Sequence, residues 1–178
     1  PIRDIQVLTP MNKGSLGSQV LNQELQSVLN PNVNNLNMHE SRSDSYKFFV
    51  NDKVIQIANN YELGVFNGDI GIVKAVDADG AKVIVEFNDK IVHYNDYDAL
   101  DLKLAYAITI HKSQGSEFSV VIIPLSMQHY VMLQKNLVYT ALTRAKKLAI
   151  FIGSKKAFNY AISQQKSHER QSLLKYRL

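Results

Sequence analysis

The stretch HKSQGSEF, residues 111–118, lies between two apolar runs, AYAITI at 105–110 and VVIIPL at 120–125. Both runs are rich in branched apolar residues and have the length of buried strands. Loops that follow strands are where binding and catalytic residues usually lie. A polar run with one glycine between two buried strands therefore indicates a site, although this run alone does not say whether the site binds or catalyses.

The composition is that of a soluble globular protein, because 46% of the 178 residues are hydrophobic and 20% are charged. A chain of this length forms one domain of ordinary size, with room for a small insert. It has no cysteine, which excludes disulfides and thiolate metal sites and favours a cytoplasmic protein. The sequence has no run of about 18 apolar residues, so no membrane span is expected. The first residues, PIRDIQVLTP, enter a strand pattern without signal-peptide features, which predicts a fragment of a longer protein.

Positive charge is concentrated in the last part of the chain. Residues 144–178 contain nine Lys or Arg residues and one acidic residue, Glu169, while the net charge of the whole chain is +4. A basic face beside a polar loop fits a polyanion such as nucleic acid. A solvated helix face has the same composition, so charge alone leaves both interpretations open.

The first sixty residues read as strand, helix and strand. Ile5–Leu8 is a short apolar strand, and Leu16–Leu29 carries apolar residues at helical spacing, which predicts an amphipathic helix. Residues 31–46 are polar and without period, which predicts a loop. A second strand is expected within VNDKVIQIA, residues 50–58.

Residues 63–98 have a different texture, with short β-rich runs separated by turn signals. The pairs Asp79-Gly80 and Asn88-Asp89 are typical of the connections in β-hairpins. We predict a small all-β unit here, similar to a barrel.

Apolar runs alternate with helices after this unit. Strands are expected at 104–110, 119–125 and 148–153, and helices at about 133–145 and from about 154 onwards. The alternation is typical of βαβ units and predicts a parallel sheet with covered faces. The sequence therefore predicts an α/β sheet domain that a small β-barrel-like insert interrupts.

The polar loop carries groups suited to a phosphate-bearing ligand. Ligands bind outside the carboxyl ends of parallel strands. Gly115 lets backbone amides approach a phosphate closely. Thr109, His111 and Lys112 offer donors to anionic oxygens, and Glu117 offers an acceptor to a ribose hydroxyl.

A further candidate lies in VYTALTRAKK, residues 138–147, on the next predicted helix. The guanidinium of Arg144 can clamp a phosphate or stabilise the charge of a phosphoryl group in transfer. Arg144 can equally cap the helix end or pair with an acid. The residues alone leave both interpretations open.

Four segments of the chain resemble a known family. AYAITIHKSQGSEF (105–118) and VYTALTRAKK (138–147) are similar to motifs V and VI of superfamily 1 DNA helicases, most closely in the RecD-like branch, the group of the exodeoxyribonuclease V alpha subunit. VLTPMNKGSLGSQVLNQ (7–23) resembles the motif IV region of that branch. NDKVIQIANNYELGVFNGDIGIV (51–73) resembles the strand that leads into its small SH3-like β-barrel.

The resemblance implies both a fold and a function. The implied fold is an α/β RecA-like lobe of the P-loop NTPase type, with residues 1–62 and 99–178 in the lobe and residues 63–98 in an inserted SH3-like barrel. The implied function is that of the C-terminal motor lobe of an ATP-dependent 5′-3′ DNA helicase of DNA repair and recombination. Implied partners are single-stranded DNA, the N-terminal RecA-like lobe of the same protein and RecB/RecC-like subunits.

The resemblance also assigns residues to ATP. Gly115 and Glu117 would face the nucleotide, and Arg144 matches the motif VI arginine that reaches the γ-phosphate. Lys13 stands in the motif IV region, where helicases of this superfamily often have an arginine, and is a candidate for the same phosphate. Because lysine is a point charge that cannot form a bidentate fork, its equivalence to that arginine stays open.

Six other residues are assigned to DNA by the resemblance. Thr109 and His111 would face the single strand, and Lys112 and Gln114 would assist them. Two asparagines at the entry to the insert are further candidates, Asn59 and Asn60.

The chain lacks the motif that cradles nucleotide phosphates. No GxxxxGK[ST] is present, and no acidic pair ends an apolar strand to hold Mg²⁺. ATP and Mg²⁺ are therefore expected in the full-length protein, with the Mg²⁺ ligands on the other lobe, and we predict that this chain alone hydrolyses no ATP. The alternative is a non-motor nucleic-acid-binding or scaffold lobe of an exonuclease V-like complex.

Overall fold

The computed structural model describes residues 2–33, 48–77, 82–88 and 90–164. Short 3₁₀ helices cover Pro31–Val33, Asp98–Asp101 and Met127–His129. The α-helices in these ranges are α1 (Ser18–Leu29), α2 (Lys135–Leu142) and α3 (Lys155–Ser163). The strands are β1 (Ile5–Thr9), β2 (Lys53–Gln56), β3 (Ile70–Val76), β4 (Val83–Phe87), β5 (Lys90–Tyr94), β6 (Leu102–Leu104), β7 (Ala107–Thr109), β8 (Phe118–Leu125) and β9 (Ala145–Gly153).

Some predicted features lie outside these ranges. They are most of the loop expected at 31–46, the turn at Asp79-Gly80 and the basic tail from 165 onwards. No helix in the described part of the chain is long and apolar enough to cross a membrane.

Four parallel strands form the first sheet, sheet A, in the order β7-β1-β8-β9. In the middle of this sheet Val7 of β1 lies level with Ala107 on one side and Ile122 on the other. One face packs against α2 and α3, with a core that includes Leu8, Ile108, Val121, Ile123, Leu137 and Ala157. The predicted α/β parallel sheet is confirmed.

The other face of sheet A differs from the expectation of covered faces. Leu148, Ile150 and Ile152 of the outer strand β9 are 51%, 38% and 55% exposed. They alternate with Ala149 and Phe151, which pack into the core. Because side chains alternate along a strand, helices on one face leave the other apolar face of β9 open among the described residues.

Five antiparallel strands form the second sheet, sheet B, in the order β5-β4-β3-β2-β6. Residues from all five strands share one core, which includes Val54, Val73, Val85, Val92 and Leu102. Two of the strands, β2 and β6, lie outside the interval 63–98 expected for the insert and pair with each other through Val54 and Leu104. The sheet is therefore wider than the predicted insert, and the domain boundaries themselves stay a prediction.

The apolar run at 104–110, expected as one strand, is divided between the two sheets. Leu102–Leu104 pairs with β2 in sheet B, while Ala107–Thr109 pairs with β1 in sheet A. Between them the amide of Ala105 donates to Lys53 O at 2.7 Å, and Tyr106 O accepts from the amide of Val7 at 3.3 Å. A local apolar pattern cannot show this change of partner, because both halves are buried.

Helix α1 forms close to its predicted range, but its buried face is polar. Ser18, Asn22 and Gln26 are buried at helical spacing, whereas Val28 on the other side is 78% exposed. In the side chain of Asn22, Nδ2 donates to Ala107 O and Oδ1 accepts from the backbone amide of Ala107, both at 2.8 Å. This side chain satisfies the backbone at the outer edge of β7, which explains why a polar residue faces the sheet.

Polar side chains join the two sheets. Buried Asp52, beside β2, accepts hydrogen bonds from Gln26 and Asn30 of the α1 region, from the Tyr106 hydroxyl and from the Phe49 amide. Burial raises the pKa of the Asp52 carboxyl, and these hydrogen bonds oppose the increase.

Candidate nucleotide and nucleic-acid site

The loop between β7 and β8 is held by its own hydrogen bonds. The Ser113 hydroxyl is fully buried and donates to Ile110 O at 2.7 Å. The amides of Ser113 and Ser116 donate to Thr109 O and Ser113 O. Ser113 therefore has a structural role, and its neighbours Lys112 and Gln114 are left exposed.

Arg144 contacts this loop at its second half. Its Nη1 donates to Ser116 O at 3.1 Å, and its Nε lies 3.4 Å from Thr140 O. The backbone continues the contact, because Arg144 O accepts from the Phe118 amide at 2.8 Å. The structure thus places the Arg144 guanidinium against the segment between Gly115 and Glu117, two of the other residues assigned to the nucleotide.

Gly115 and Glu117 differ in their surroundings. Gly115 has φ +87°, and a Cβ there would meet no atom within 4 Å, so the backbone faces open space. Glu117 is exposed and forms an ion pair with Lys146 at 3.4 Å. Open backbone beside a half-buried guanidinium is able to receive a phosphate.

The structure separates Lys13 from Arg144. Lys13 follows the C-terminal end of β1, while Arg144 precedes the N-terminal end of β9. Because the strands are parallel, these positions lie at opposite edges of sheet A. Val7 of β1 lies level with Ile122, and Ile122 lies level with Ile150, six residues beyond Arg144. At about 3.3 Å per residue, Lys13 is therefore at least roughly 20 Å from Arg144. A phosphate held by Arg144 is therefore out of reach of Lys13.

Lys13 instead lines a cavity of about 200 Å³ together with two residues assigned to DNA, Thr109 and Lys112. Lys103 of β6 lines the same cavity, although no sequence motif includes it. Its place between Leu102 and Leu104 predicts only a side chain that points outward from a strand. Burial lowers the pKa of the Lys112 ammonium, and the nearby charge of Lys103 lowers it further.

His111 and Gln114 line a second cavity of about 200 Å³, against the start of α2. The polar side chains of Gln134, Asn136 and Thr140 contribute to its wall. The two cavities thus flank one turn, with Thr109 and Lys112 on one side and His111 and Gln114 on the other.

Asn59 and Asn60 are not brought to either cavity and hold a local turn instead. Asn60 Nδ2 donates to Asp98 at 3.0 Å, and Asn60 Oδ1 accepts from the Leu63 amide at 3.0 Å. Asn59 Oδ1 accepts from the Asn67 amide at 2.9 Å. These side-chain bonds account for both asparagines by the structure of the turn.

Metal ligands are not gathered in the described part of the chain, where no group of three or more His, Asp or Glu residues could hold an ion. The residues around Arg144 fit the phosphate of a nucleotide, since they offer a guanidinium and open backbone. Glu117 is the one carboxylate that the resemblance assigns to this site, and it already forms an ion pair with Lys146.

Two family models match the chain. The model of the ATP-dependent RecD-like DNA helicase SH3 domain matches residues 21–87. The model of the UvrD-like helicase C-terminal domain matches residues 104–152, which include the polar loop and Arg144.

Relatives match over nearly the whole chain. The ATP-dependent RecD2 DNA helicase of Deinococcus radiodurans is 38% identical over 170 residues, which is 96% of this chain and 23% of the relative. The RecBCD enzyme subunit RecD of Haemophilus influenzae is 31% identical over 160 residues, 90% of this chain and 23% of the relative. The chain thus spans about a quarter of the length of these relatives.

Solved structures of Pif1 helicases share the fold. The enzyme from Candida albicans aligns with a TM-score of 0.55 at 16% identity, over 90% of this chain and 50% of that one. The Bacteroides enzyme in complex with ADP-AlF3 and ssDNA aligns with a TM-score of 0.51 at 18% identity, over 86% of this chain and 44% of that one. The fold is the predicted one, an α/β RecA-like lobe with a small SH3-like β-unit. With this fold, two helicase models and 38% identity to a RecD2 helicase, the chain belongs to the RecD-like branch of the superfamily 1 helicases.

Proposed function

We propose that this chain is the C-terminal motor lobe of an ATP-dependent DNA helicase of RecD type that moves 5′ to 3′ along single-stranded DNA. Its contributions are an arginine finger, Arg144, and part of the track for the strand. The observation that carries the proposal is the contact of the Arg144 guanidinium with Ser116 O at 3.1 Å, between Gly115 and Glu117. This contact supports the proposal because it puts the guanidinium beside the segment that carries Gly115 and Glu117.

The hydrogen bonds that position the Arg144 guanidinium are weak, so an anion can replace them. Its three hydrogen bonds go to neutral oxygens at 3.1 to 3.4 Å. A charge-assisted bond from a guanidinium to a phosphate is shorter and about twice as strong. A phosphate brought to the loop therefore competes well for the guanidinium, and only the side chain has to move.

Nucleotide and DNA would lie at different edges of sheet A. ATP with Mg²⁺, bound between this lobe and the N-terminal lobe, supplies the phosphoryl transfer that drives movement. Gly115 would admit the nucleotide to the backbone, and Glu117 would accept from its ribose or phosphate network. Thr109 and His111, at the opposite edge, would contact the strand with Lys112 and Gln114.

The proposal requires the N-terminal lobe of the same protein. The sequence has no phosphate-cradling motif, and the part of the chain that the structure describes has no group of residues that could hold Mg²⁺, so the isolated chain is expected to be inactive as an ATPase. RecB/RecC-like subunits are proposed as partners because several relatives are named as RecBCD enzyme subunit RecD.

One observation favours a second candidate function. The three hydrogen bonds of Arg144 close the end of α2 onto the loop, which is also what a structural cap does. With that role the lobe would bind nucleic acid or hold an exonuclease V-like complex together without acting as a motor.

Replacing Arg144 in the full-length parent protein separates these functions. We expect DNA-stimulated ATP hydrolysis by Arg144→Ala to fall by about 10³ to 10⁵, the range typical of an arginine finger. Binding of single-stranded DNA should persist, because the strand lies at the other edge of the sheet. Steady-state ATPase rates with and without an oligonucleotide, and anisotropy of a labelled strand, provide the two readouts.

Two control variants sharpen the result. Arg144→Lys keeps the charge but loses the fork, so it should stay deeply impaired. Lys147→Ala removes a neighbouring exposed cation and should keep most of the activity. A parent protein without DNA-stimulated hydrolysis, or an Arg144→Ala variant as active as the parent, contradicts the motor function and favours the scaffold lobe.

A further inference from the structure

The cavity between the two sheets combines residues from three distant parts of the chain. Lys13 comes from the loop after β1, Lys103 from β6 of sheet B, and Lys112 from the loop after β7. None of the described residues that line this cavity is acidic. Three ammonium groups without a carboxylate among them form a site for an anion.

The ammonium groups of Lys112 and Lys103 are close enough to affect each other. Its pKa is lowered by burial first and by the charge of Lys103 second. Like charges that lie close together where water is partly excluded disfavour each other. An anion between them removes this cost.

The backbone amides at the start of α1 are not available to a nucleotide phosphate. Loops that cradle such phosphates present free amides. Here the amides of Gly17, Ser18 and Gln19 already donate to carbonyls of the loop, at 2.9, 3.0 and 3.2 Å. An anion in the cavity is therefore not held by the start of the helix but meets the lysine side chains, whose point charges suit a phosphodiester group as well as they suit any phosphate.

The position of the cavity favours a linear polyanion. It shares the turn after Thr109 with the second cavity, which His111 and Gln114 line. An extended polyanion chain that passes this turn can contact both cavities in succession. Arg144, in contrast, lies roughly 20 Å away at the other edge of sheet A.

We propose that the cavity between sheets A and B binds a backbone phosphate of single-stranded DNA through Lys13, Lys103 and Lys112. The inference deepens the proposed function and rests on it for the identity of the strand. It assigns Lys13 to DNA instead of ATP, and it makes sheet B, through Lys103, part of the track. Polar side chains at the rim, Asn12 and Gln19, complete the wall.

The salt dependence of binding tests this site in the full-length parent protein. Each phosphate contact on a single strand contributes about 0.7 to the slope of log K against log salt. Because the three lysines share one phosphate, Lys13→Gln, Lys103→Gln and Lys112→Gln should each lower that slope, and the triple variant should lower it by about 0.7. Between 50 and 200 mM salt, the triple variant should then lose about 2.6-fold less affinity for an oligo-dT strand than the parent loses. The KM for ATP should not change.

A matched control is Lys82→Gln, which removes an exposed lysine just before β4 and outside both cavities. Its salt slope should equal that of the parent. Thermal unfolding of each variant checks that the fold is kept. Because all three lysines are exposed, their replacement by glutamine should leave the unfolding midpoint near that of the parent.

The outcomes are distinct from those for Arg144. Unchanged slopes in all three variants overturn the inference, and an unchanged slope with a raised KM for ATP would make the cavity a nucleotide phosphate site. Binding is measured without nucleotide, so lowered slopes in a parent that does not hydrolyse ATP leave the inference standing while the motor function fails. Unchanged slopes beside an Arg144-dependent ATPase mean that the inference alone fails.

Discussion

Lys53 is a charged residue that the fold buries between its two sheets. Its Nζ donates to Ile2 O at 3.2 Å and to Ile5 O at 3.0 Å, and it lies 5.8 Å from the centre of the Phe118 ring. Burial lowers the pKa of this ammonium to about 8, and the charge of Asp4 opposes the change. Two carbonyls and a ring face replace the water that the charge loses.

The stability of the chain should depend on pH through Lys53. In the unfolded chain its pKa returns to the ordinary 10.5, so between pH 8 and 10.5 the unfolded state binds more protons. The free energy of unfolding therefore rises with pH in this window, by about 2 kcal/mol from pH 8 to 9.5. Urea unfolding at several pH values measures the increase.

A Lys53→Met variant is the control for this prediction. It keeps the length of the side chain without the charge, so the increase between pH 8 and 9.5 should disappear. The window ends below pH 10 because burial raises the pKa values of Tyr94 and Tyr106, and their titration in the unfolded state lowers stability at higher pH. An equal slope in both proteins would show that Lys53 is not the source.

At the scale of elements, α1 shows how a helix can serve a strand. Its polar face, Ser18, Asn22 and Gln26, lies against sheet A, and its exposed side carries Val28 and Leu29. The apolar spacing predicted the helix correctly, since period depends only on local sequence. It did not predict which face is buried, because that depends on the unpaired edge of β7.

Replacing Asn22 should destabilise the chain strongly. In Asn22→Ala both the amide and the carbonyl of Ala107 lose their partner in a buried place, and each unsatisfied group costs about 1 to 3 kcal/mol. We expect the free energy of unfolding in urea to fall by about 2 to 4 kcal/mol. Amide exchange at Ala107 should become faster as β7 frays.

The neighbouring residue provides the comparison for Asn22. Gln23 is exposed on the same helix, so Gln23→Ala should change stability by less than about 0.5 kcal/mol. A similar small loss in Asn22→Ala would mean that water replaces the side-chain amide at the edge of β7.

At the scale of the whole molecule, the two sheets are joined by contacts of several kinds. Ile55 of β2 belongs to the core of sheet A, although its strand lies in sheet B. Arg3, before β1, forms an ion pair with Glu86 of β4. Together with Asp52 and Lys53, these contacts predict that the sheets unfold in one transition.

Native-state hydrogen exchange of a core variant tests this coupling. Val85 is fully buried in sheet B, and Val85→Ala should cost about 2 kcal/mol through the lost contacts and the cavity. If the sheets unfold together, the most protected amides of β1 and β8 in sheet A should lose the same free energy. Loss of protection confined to sheet B would show two separate units.

The sequence by itself determined the local features of this protein. It predicted the strand β1, the helices α1, α2 and α3, the β-rich unit, and the loop and arginine motifs that led to the helicase branch. Hydrophobic periodicity, turn residues and motif spacing are local properties, so one amino-acid sequence is enough to recognise them.

Tertiary structure alone decided which side chains meet. It divided the run at 104–110 between two sheets, buried the polar face of α1, and moved Lys13 away from Arg144 to the cavity with Lys103 and Lys112. Burial and the convergence of charges depend on contacts between residues far apart in the chain. A local sequence pattern does not predict such contacts, because their free energy depends on neighbours that only the fold brings together.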